Sequence, residues 1–363
     1  MKKNLIILIA LVVCVGFTSA TKSSKQAVAE RWTIQKAKTW SASQPWLSGS
    51  NYQPATAINQ IEMWQNSTFD AATIDKELGW AEELGFTTMR VFLSSVVWKA
   101  EPVVFKKNIE KFLTISASHH IRPMFVFFDD CWNPESAIGK QPDPKPGVHN
   151  SGWVRDPSVS LRADTTKLFL VMEKYVKDVM GTFKNDNRIL LWDLYNEPGN
   201  SGHGLASMPL LRNVFKWARE VNPVQPISSG IWYFGTPELN VFQIQNSDVI
   251  TYHNYANVKE HELWINLLKT TGRPMICTEY MARRNDSKFQ NIMPMLKSQN
   301  VGAINWGFVS GKTNTIFAWD EPKPNEKEPV LWFHDIFRQD HTCFDQAEVD
   351  IIKKTTGKMA AAK

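Results

Sequence analysis

Residues 189–198 read ILLWDLYNEP, a short apolar run that closes on Asn196, Glu197 and Pro198. Segments with helical spacing of apolar residues lie on either side of it, at 164–183 and 209–221. An apolar run of this length between two helices is typical of a strand in a parallel sheet that helices cover. The stretch therefore predicts an α/β fold, with polar side chains placed where a buried strand ends.

The same pattern recurs along the chain, and eight runs of this kind can be counted. The other seven end at Asn51, Arg90, Asp129, Gly230, His253, Glu279 and Trp306. Consecutive run ends lie 23 to 39 residues apart, except for an interval of 68 residues before Glu197. About 30 residues per strand and helix are expected of an eight-fold barrel. We therefore predict a single (β/α)8 TIM barrel over residues 21–363, without a second domain.

Two long loops interrupt this regular pattern. The first, residues 131–160, contains five prolines and three glycines, and the second follows the eighth run at 310–329. Loops of this length are usually functional. Trp132 and Trp153 lie near the two ends of the first loop, either as platforms for a ligand or as anchors of the loop. The two loops could also close one end of a cleft.

The N-terminus has the pattern of a secretory signal over residues 1–20. Lys2 and Lys3 precede an apolar run, and Thr18, Ser19 and Ala20 form a small-residue cleavage site. An uncleaved membrane anchor is the alternative, but the run is shorter than a spanning helix needs. Cys14 makes a lipidated protein a further alternative, although Val13 stands before it where lipoprotein processing needs a small residue. We predict an exported protein, whether periplasmic, secreted or held at the surface.

Composition excludes several classes of protein. With 43% hydrophobic and 21% charged residues the chain is an ordinary globular one. The formal charge of +5 falls to +3 without Lys2 and Lys3, so no nucleic-acid partner is expected. The mature chain has three cysteines, Cys131, Cys277 and Cys343. Because their number is odd and their spacing is not that of metal ligands, the sequence predicts no disulfide framework and no zinc site. We expect a monomer.

Two glutamates carry the functional hypothesis, because chemistry in such barrels sits at the carboxyl ends of the strands. Glu197 closes the fourth run and Glu279 the seventh. Side chains from these two strands can converge on one bond across the mouth of a barrel. One carboxyl can then protonate a glycosidic oxygen while the other attacks the anomeric carbon.

With these residues the chain resembles the clan A glycoside hydrolases, in particular family 5. The resemblance covers nearly the whole mature chain and implies that Glu197 is the acid/base and Glu279 the nucleophile. It also implies that Asn196 binds the substrate 2-hydroxyl and that a strand-two arginine, Arg90, braces the nucleophile. Three further residues match the group's pattern after strands six and eight: His253, Tyr255 and Trp306.

The sequence also departs from family 5, because strand three ends in Asp129 and Asp130 rather than in a histidine-containing pattern. A carboxylate there can select a terminal sugar, so we expect one of the two to bind substrate and the other to cap the following loop. Asn51, Trp132 and Trp232 are further subsite candidates. Blocks at 51–54, 127–134 and 332–335 look like exported bacterial proteins described as cellulase-like or as 1,4-β-xylanases.

The resulting hypothesis is an exported retaining β-glycosidase that hydrolyses plant-type β-glycans, or their oligosaccharides, by double displacement without a cofactor or metal. In it Arg90 keeps Glu279 ionised, and the neighbouring charge keeps Glu197 protonated. Three alternatives stay open. They are a transglycosylase with the same residues, a glycan-binding barrel without catalysis, and a metal-dependent hydrolase that uses Asp129, Asp130 and His253.

Overall fold

The computed structural model describes residues 29–359. The predicted signal sequence at 1–20, including Cys14, lies outside the described residues. Among residues 29–359, no helix combines the length and the apolar character needed to cross a membrane.

Eight parallel strands form the centre of the molecule, and each predicted run end lies within a strand or at most two residues beyond it. They are β1 (Ser48–Asn51), β2 (Thr88–Phe92), β3 (Met124–Asp129), β4 (Leu191–Asn196), β5 (Ile227–Ser228), β6 (Ile250–His253), β7 (Met275–Glu279) and β8 (Gly302–Asn305). Ladder pairing runs in the order β5-β4-β3-β2-β1-β8-β7-β6. Ile231 and Tyr252 form a parallel bridge between the two ends of this sheet. The predicted TIM barrel is therefore confirmed.

Helices surround the strands and connect them. They are α1 (Ile34–Ala42), α2 (Gln60–Trp64), α3 (Ala71–Glu83), α4 (Ser95–Ala100), α5 (Pro102–Ser118), α6 (Val159–Arg162), α7 (Thr165–Phe183), α8 (Met208–Val221), α9 (Pro237–Asn246), α10 (Val258–Lys269), α11 (Phe289–Ser298) and α12 (Gln346–Thr356). Polar side chains fix several starts: Asp164 accepts a hydrogen bond from the Lys167 amide, and Asn257 from the Glu260 amide.

The N-terminal segment covers the bottom of the barrel, opposite the strand ends that carry polar residues. The Trp32 amide donates to Asp248 Oδ1 at 2.8 Å, which holds the chain before α1. Trp40 of α1 packs against a buried apolar cluster at the starts of the strands, including Leu47, Leu191 and Ile276. The barrel is thus filled and sealed below, and the open side is at the carboxyl ends of the strands.

The two predicted long loops contact each other above the barrel. The Asn150 amide donates to the Thr313 carbonyl at 2.7 Å, and the Lys323 amide donates to the Gly147 carbonyl at 2.9 Å. Asn314 adds a side-chain bond to the Lys145 carbonyl at 2.9 Å. The connection after β8 is longer than the predicted 310–329, since helical structure resumes only at α12. Together the loops form a wall over one side of the barrel mouth.

Candidate active site

Glu197 and Glu279 meet at the mouth of the barrel, as their places at the strand ends predict. Glu279 is the last residue of β7, and Glu197 directly follows β4. His253, the last residue of β6, lies between them: its Nδ1 is 2.8 Å from Glu197 Oε1 and 3.5 Å from Glu279 Oε2. The ligand-type atoms of these three residues all lie within 4.8 Å of one another. The two carboxyls are therefore close enough to act on the two atoms of one bond.

The backbone presents Glu197 by an unusual turn. Its φ is +45°, in the left-handed region of the backbone that residues other than glycine seldom adopt. The following residue is Pro198, which disfavours the right-handed helical region for the residue before it. Such strained positions cost about 1–3 kcal/mol and are concentrated at functional sites. The chain thus leaves β4 sharply and directs this carboxyl into the cleft.

Glu279 is held by two donors. Arg90 Nη1 donates to Glu279 Oε1 at 2.8 Å, and the Tyr255 hydroxyl donates to Glu279 Oε2 at 2.6 Å. Arg90 is fully buried and also pairs with Asp193 at 2.8 Å. Both oxygens of the carboxyl are consequently fixed, one of them by a positive charge.

Arg90 also links the two predicted binding residues to the nucleophile. Its guanidinium donates to Asn51 Oδ1 at 2.8 Å and to Asn196 Oδ1 at 2.7 Å. Asn51 in turn donates to the Thr278 carbonyl at 2.8 Å. Asn51 therefore braces the floor of the site, whereas Asn196 borders the cleft beside Glu197.

Glu197 is surrounded by different groups. The Cys131 thiol donates to Glu197 Oε2 at 3.2 Å, and the amide of Asn200 donates to the same oxygen. Neither Cys131 nor Asn200 was among the residues predicted for the site. Asn200 lies three residues after Glu197, but only the turn after β4 brings it back to that carboxyl.

Burial is the main cause of the pKa shift at both glutamates. It raises the pKa of Glu197, against the hydrogen bonds from Cys131 and Asn200. Burial also raises the pKa of Glu279, against the charge of Arg90 and the bond from Tyr255. We expected the neighbouring charge to keep Glu197 protonated, and burial is the larger cause of its raised pKa. Because only Glu279 is in direct contact with a guanidinium, we infer that it ionises first.

His253 is neutral over the physiological pH range, because burial lowers its pKa to about 4. It therefore orients Glu197 by a hydrogen bond and adds no fixed charge to the pair. Its position between the two carboxyls suits a residue that holds them in place.

Asp129 and Asp130, of which we expected one to bind substrate and the other to cap the following loop, both have protein donors as partners, Asp129 beside the cleft and Asp130 inside the protein. Asp130 is fully buried and accepts bonds from the Tyr195 hydroxyl at 2.7 Å and the Gly199 amide at 2.8 Å. Asp129 borders the cleft, but its oxygens already accept from Trp153 Nε1 at 2.7 Å and Asn196 Nδ2 at 2.9 Å. Asp129 thus positions Asn196 and the first loop.

The cleft above the glutamates is a cavity of about 760 Å³. Aromatic side chains dominate its walls, and they come from the loops after β3, β5, β6 and β8. They include the predicted residues Trp132, Trp232, Tyr255 and Trp306, together with Trp153, His149, Trp319 and His334. His149, Trp319 and His334 were not predicted, because they lie in irregular loops where no strand end marks them.

A cation site is a poorer fit to this geometry than an acid pair. Within the described part of the chain, the group spaced to hold a metal is Glu197, His253 and Glu279. The Arg90 guanidinium at 2.8 Å from Glu279 would repel a cation there. The alternative set of Asp129, Asp130 and His253 is not assembled, since Asp130 is enclosed by other partners.

Comparison with known proteins supports the resemblance inferred from the sequence. The family model for the TIM barrel domain of glycosyl hydrolases family 2 matches residues 146–318. No protein of curated function matches the chain.

Solved structures share the fold at low sequence identity. A GH5_18 protein from Streptomyces cattleya in complex with Manβ1-4GlcNAc has a TM-score of 0.60 at 12% identity, covering 88% of this chain and 82% of that one. An endo-β-1,4-mannanase from Thermotoga petrophila has a TM-score of 0.56 at 13% identity, covering 88% and 77%. An exo-β-1,4-mannosidase from an Opitutaceae bacterium has a TM-score of 0.56 at 17% identity, covering 86% of this chain and 60% of that one. The comparisons confirm the resemblance to clan A and bear out the predicted enzyme class.

Proposed function

We propose that this barrel, a glycoside hydrolase of the clan A type, cleaves β-linked glycosides with net retention of configuration. The observation that carries the proposal is the closeness of Glu197 and Glu279, whose oxygens lie within 4.8 Å of each other. Retaining enzymes have carboxyls about 5–5.5 Å apart, whereas inverting enzymes need about 6.5–9.5 Å to admit a water between them.

The two carboxyls divide the work of the first step. Glu279, ionised beside Arg90, attacks the anomeric carbon and forms a glycosyl ester. Glu197, protonated, gives its proton to the departing oxygen, so that the leaving group departs as a neutral alcohol. Burial raises the pKa of Glu197 and so keeps the acid protonated above its ordinary range, whereas at Glu279 the direct contact with Arg90 offsets the same effect.

The second step reverses the roles. Glu197, now a carboxylate, takes a proton from water while the water oxygen attacks the anomeric carbon. The ester bond to Glu279 breaks, and both glutamates return to their starting protonation states. His253 and Asn200 hold Glu197 in one orientation for both transfers.

For the substrate we propose plant-type β-glycans or their oligosaccharides. Support comes from Trp132, Trp232 and Trp306 around the glutamates, because flat aromatic faces pack against the C–H surfaces of pyranoses. The fold neighbours named a mannanase, an endoglucanase and a mannosidase point the same way. We also propose that the protein is exported, because of the signal pattern at residues 1–20, and that it is a monomer.

A transglycosylase would use the same two glutamates and differ only in the acceptor. Product analysis with and without an added sugar acceptor separates the two reactions. A catalytically inactive binding barrel would bind a glycan without cleaving it.

Azide rescue tests the proposal. We expect Glu279→Ala to abolish turnover of aryl β-glycosides and to form an inverted, α-configured glycosyl azide when azide is added. Glu197→Ala with azide should instead give the retained β-azide. Full activity of a clean Glu279→Ala preparation would contradict the assignment, and so would α-azide formation by both variants.

A further inference from the structure

The two docked loops close the cleft on the side of the nucleophile. His149 belongs to the loop after β3, and His334 follows the loop after β8; their ring centroids are 5.4 Å apart. His334 lies 5.6 Å, ring to ring, from Tyr255, which donates to Glu279. The histidine pair therefore borders the cavity on the side of Tyr255, which holds Glu279.

The hydrogen bond of His334 defines its tautomer. Its Nδ1 contacts the Met281 carbonyl, which can only accept, so Nδ1 carries the proton and donates. Nε2 is then a bare acceptor. This atom is buried and has no hydrogen-bond partner within residues 29–359, although His334 borders the cavity.

His149 is held in the same way. Its Nδ1 donates to the Phe317 carbonyl at 2.8 Å, which leaves Nε2 as an acceptor. Burial lowers the pKa of His149 to about 4 and that of His334 well below its ordinary value, so neither ring is charged near neutral pH. Two neutral acceptors from separate loops thus border one cavity.

Aromatic faces flank the pair. The Trp132 ring lies 5.3 Å from His149 at 30°, and the Trp319 ring lies 5.5 Å from His334 at 38°. A buried acceptor without a partner is destabilising unless a ligand or water donates a hydrogen bond to it. Flat apolar walls with acceptors between them suit a ring that carries hydroxyl groups.

We propose that His149 and His334 bind the hydroxyls of a chain-terminal sugar, so that the enzyme removes single neutral sugars from non-reducing ends. The proposal deepens the proposed function and rests on it. Hydroxyls can donate to both Nε2 atoms, whereas the carboxylate of a uronic acid would bring further lone pairs against them. Asn150, next to His149, donates to the Thr313 carbonyl at 2.7 Å, so the two loops meet beside the pair, where a longer chain would have to pass.

The test uses the full chain and variants that preserve the internal bonds. Asparagine at either position places an amide donor near Nδ1 and removes the Nε2 acceptor; glutamine places an amide oxygen near Nε2. We expect His149→Asn and His334→Asn each to lower kcat/KM for neutral aryl β-glycosides at least tenfold, mainly through KM. The glutamine variants should recover part of this loss. His341→Asn, on the ring stacked against Trp80, is the matched control.

Deoxy substrates and labelled oligosaccharides complete the test. Wild type should lose activity on the deoxy sugar that lacks the bound hydroxyl, and the asparagine variant should no longer distinguish it from the parent. Reducing-end-labelled β-1,4 tetrasaccharides should yield the labelled trisaccharide first. Internal cleavage, or asparagine variants as active as His341→Asn, would overturn this inference while the azide result still supports the glycosidase. No cleavage by wild type and no azide product would overturn both.

Discussion

At the scale of single residues, the site depends on two glutamates whose surroundings differ. Of the two glutamates, only Glu279 accepts hydrogen bonds from Arg90 and Tyr255, and only Glu197 accepts them from Cys131 and Asn200. Burial raises the pKa of both carboxyls and the charge of Arg90 opposes it at both, but only Glu279 is in direct contact with that guanidinium. This asymmetry separates a nucleophile from an acid without any further ionisable group.

The pH dependence should follow from this asymmetry. Glu197 must be protonated for the first step, so kcat/KM should fall as pH rises through its raised pKa. Glu197→Ala should remove this alkaline limb for dinitrophenyl glycosides, whose leaving group needs no proton. For sugar leaving groups the same variant should lose about 10²–10⁴-fold in kcat/KM.

Initial rates from pH 4 to 9 with both classes of substrate check this prediction. Glu262→Ala, an exposed glutamate of α10, is the matched control and should keep the wild-type profile. An alkaline limb that persists in Glu197→Ala would show that another group is the acid.

Sequence could predict the residues at strand ends, since a polar side chain that closes an apolar run has few places to go in a barrel. Arg90, Glu197 and Glu279 are of this kind. His149 and His334 could not be predicted, because no periodicity marks a residue whose position depends on two loops meeting. The contact of Asn51 with Arg90 could not be predicted for a similar reason, since only the packed barrel shows which partner a buried amide reaches.

At the scale of elements, regular spacing made the eight strands predictable, and the irregular helices were missed. The short α2, α4 and α6 and the late α12 could not be predicted, since the first three have only four to six residues and α12 follows a long loop. Contacts between residues distant in sequence hold α12 in place. Arg283, shortly after β7, forms an ion pair of 2.6 Å with Glu348 in the first turn of α12, and both side chains are buried.

Arg283→Met should therefore destabilise the protein by about 3–5 kcal/mol, because it leaves the Glu348 carboxylate buried without its partner. The double variant Arg283→Met, Glu348→Met should recover part of this loss, since it removes the buried charge. Urea unfolding followed by circular dichroism measures both. A loss below about 1 kcal/mol in the single variant would contradict the role given to this ion pair.

At the scale of the whole molecule, the barrel was predictable but the docking of its two long loops was not. Gly147 has φ +65°, and an added Cβ would lie 1.9 Å from the Lys323 carbonyl oxygen. Gly147→Ala should therefore separate the loops and expose 140–150 to proteases. Gly181→Ala is the matched control, because nothing lies within 4 Å of its Cβ position. Equal resistance of both variants to limited proteolysis would show that the loops do not depend on this contact.

The most direct measurement is the identity of the residue that carries the sugar during turnover. Incubation with activated 2-deoxy-2-fluoro β-glycosides of several sugars should trap the ester, because the fluorine slows both steps and the activated leaving group speeds only the formation of the ester. Peptide mapping by mass spectrometry should then find one fluoroglycosyl group on Glu279, and none in Glu279→Gln. A label on any other residue, or an unlabelled enzyme that releases the inverted sugar from natural substrates, would contradict the double displacement proposed here.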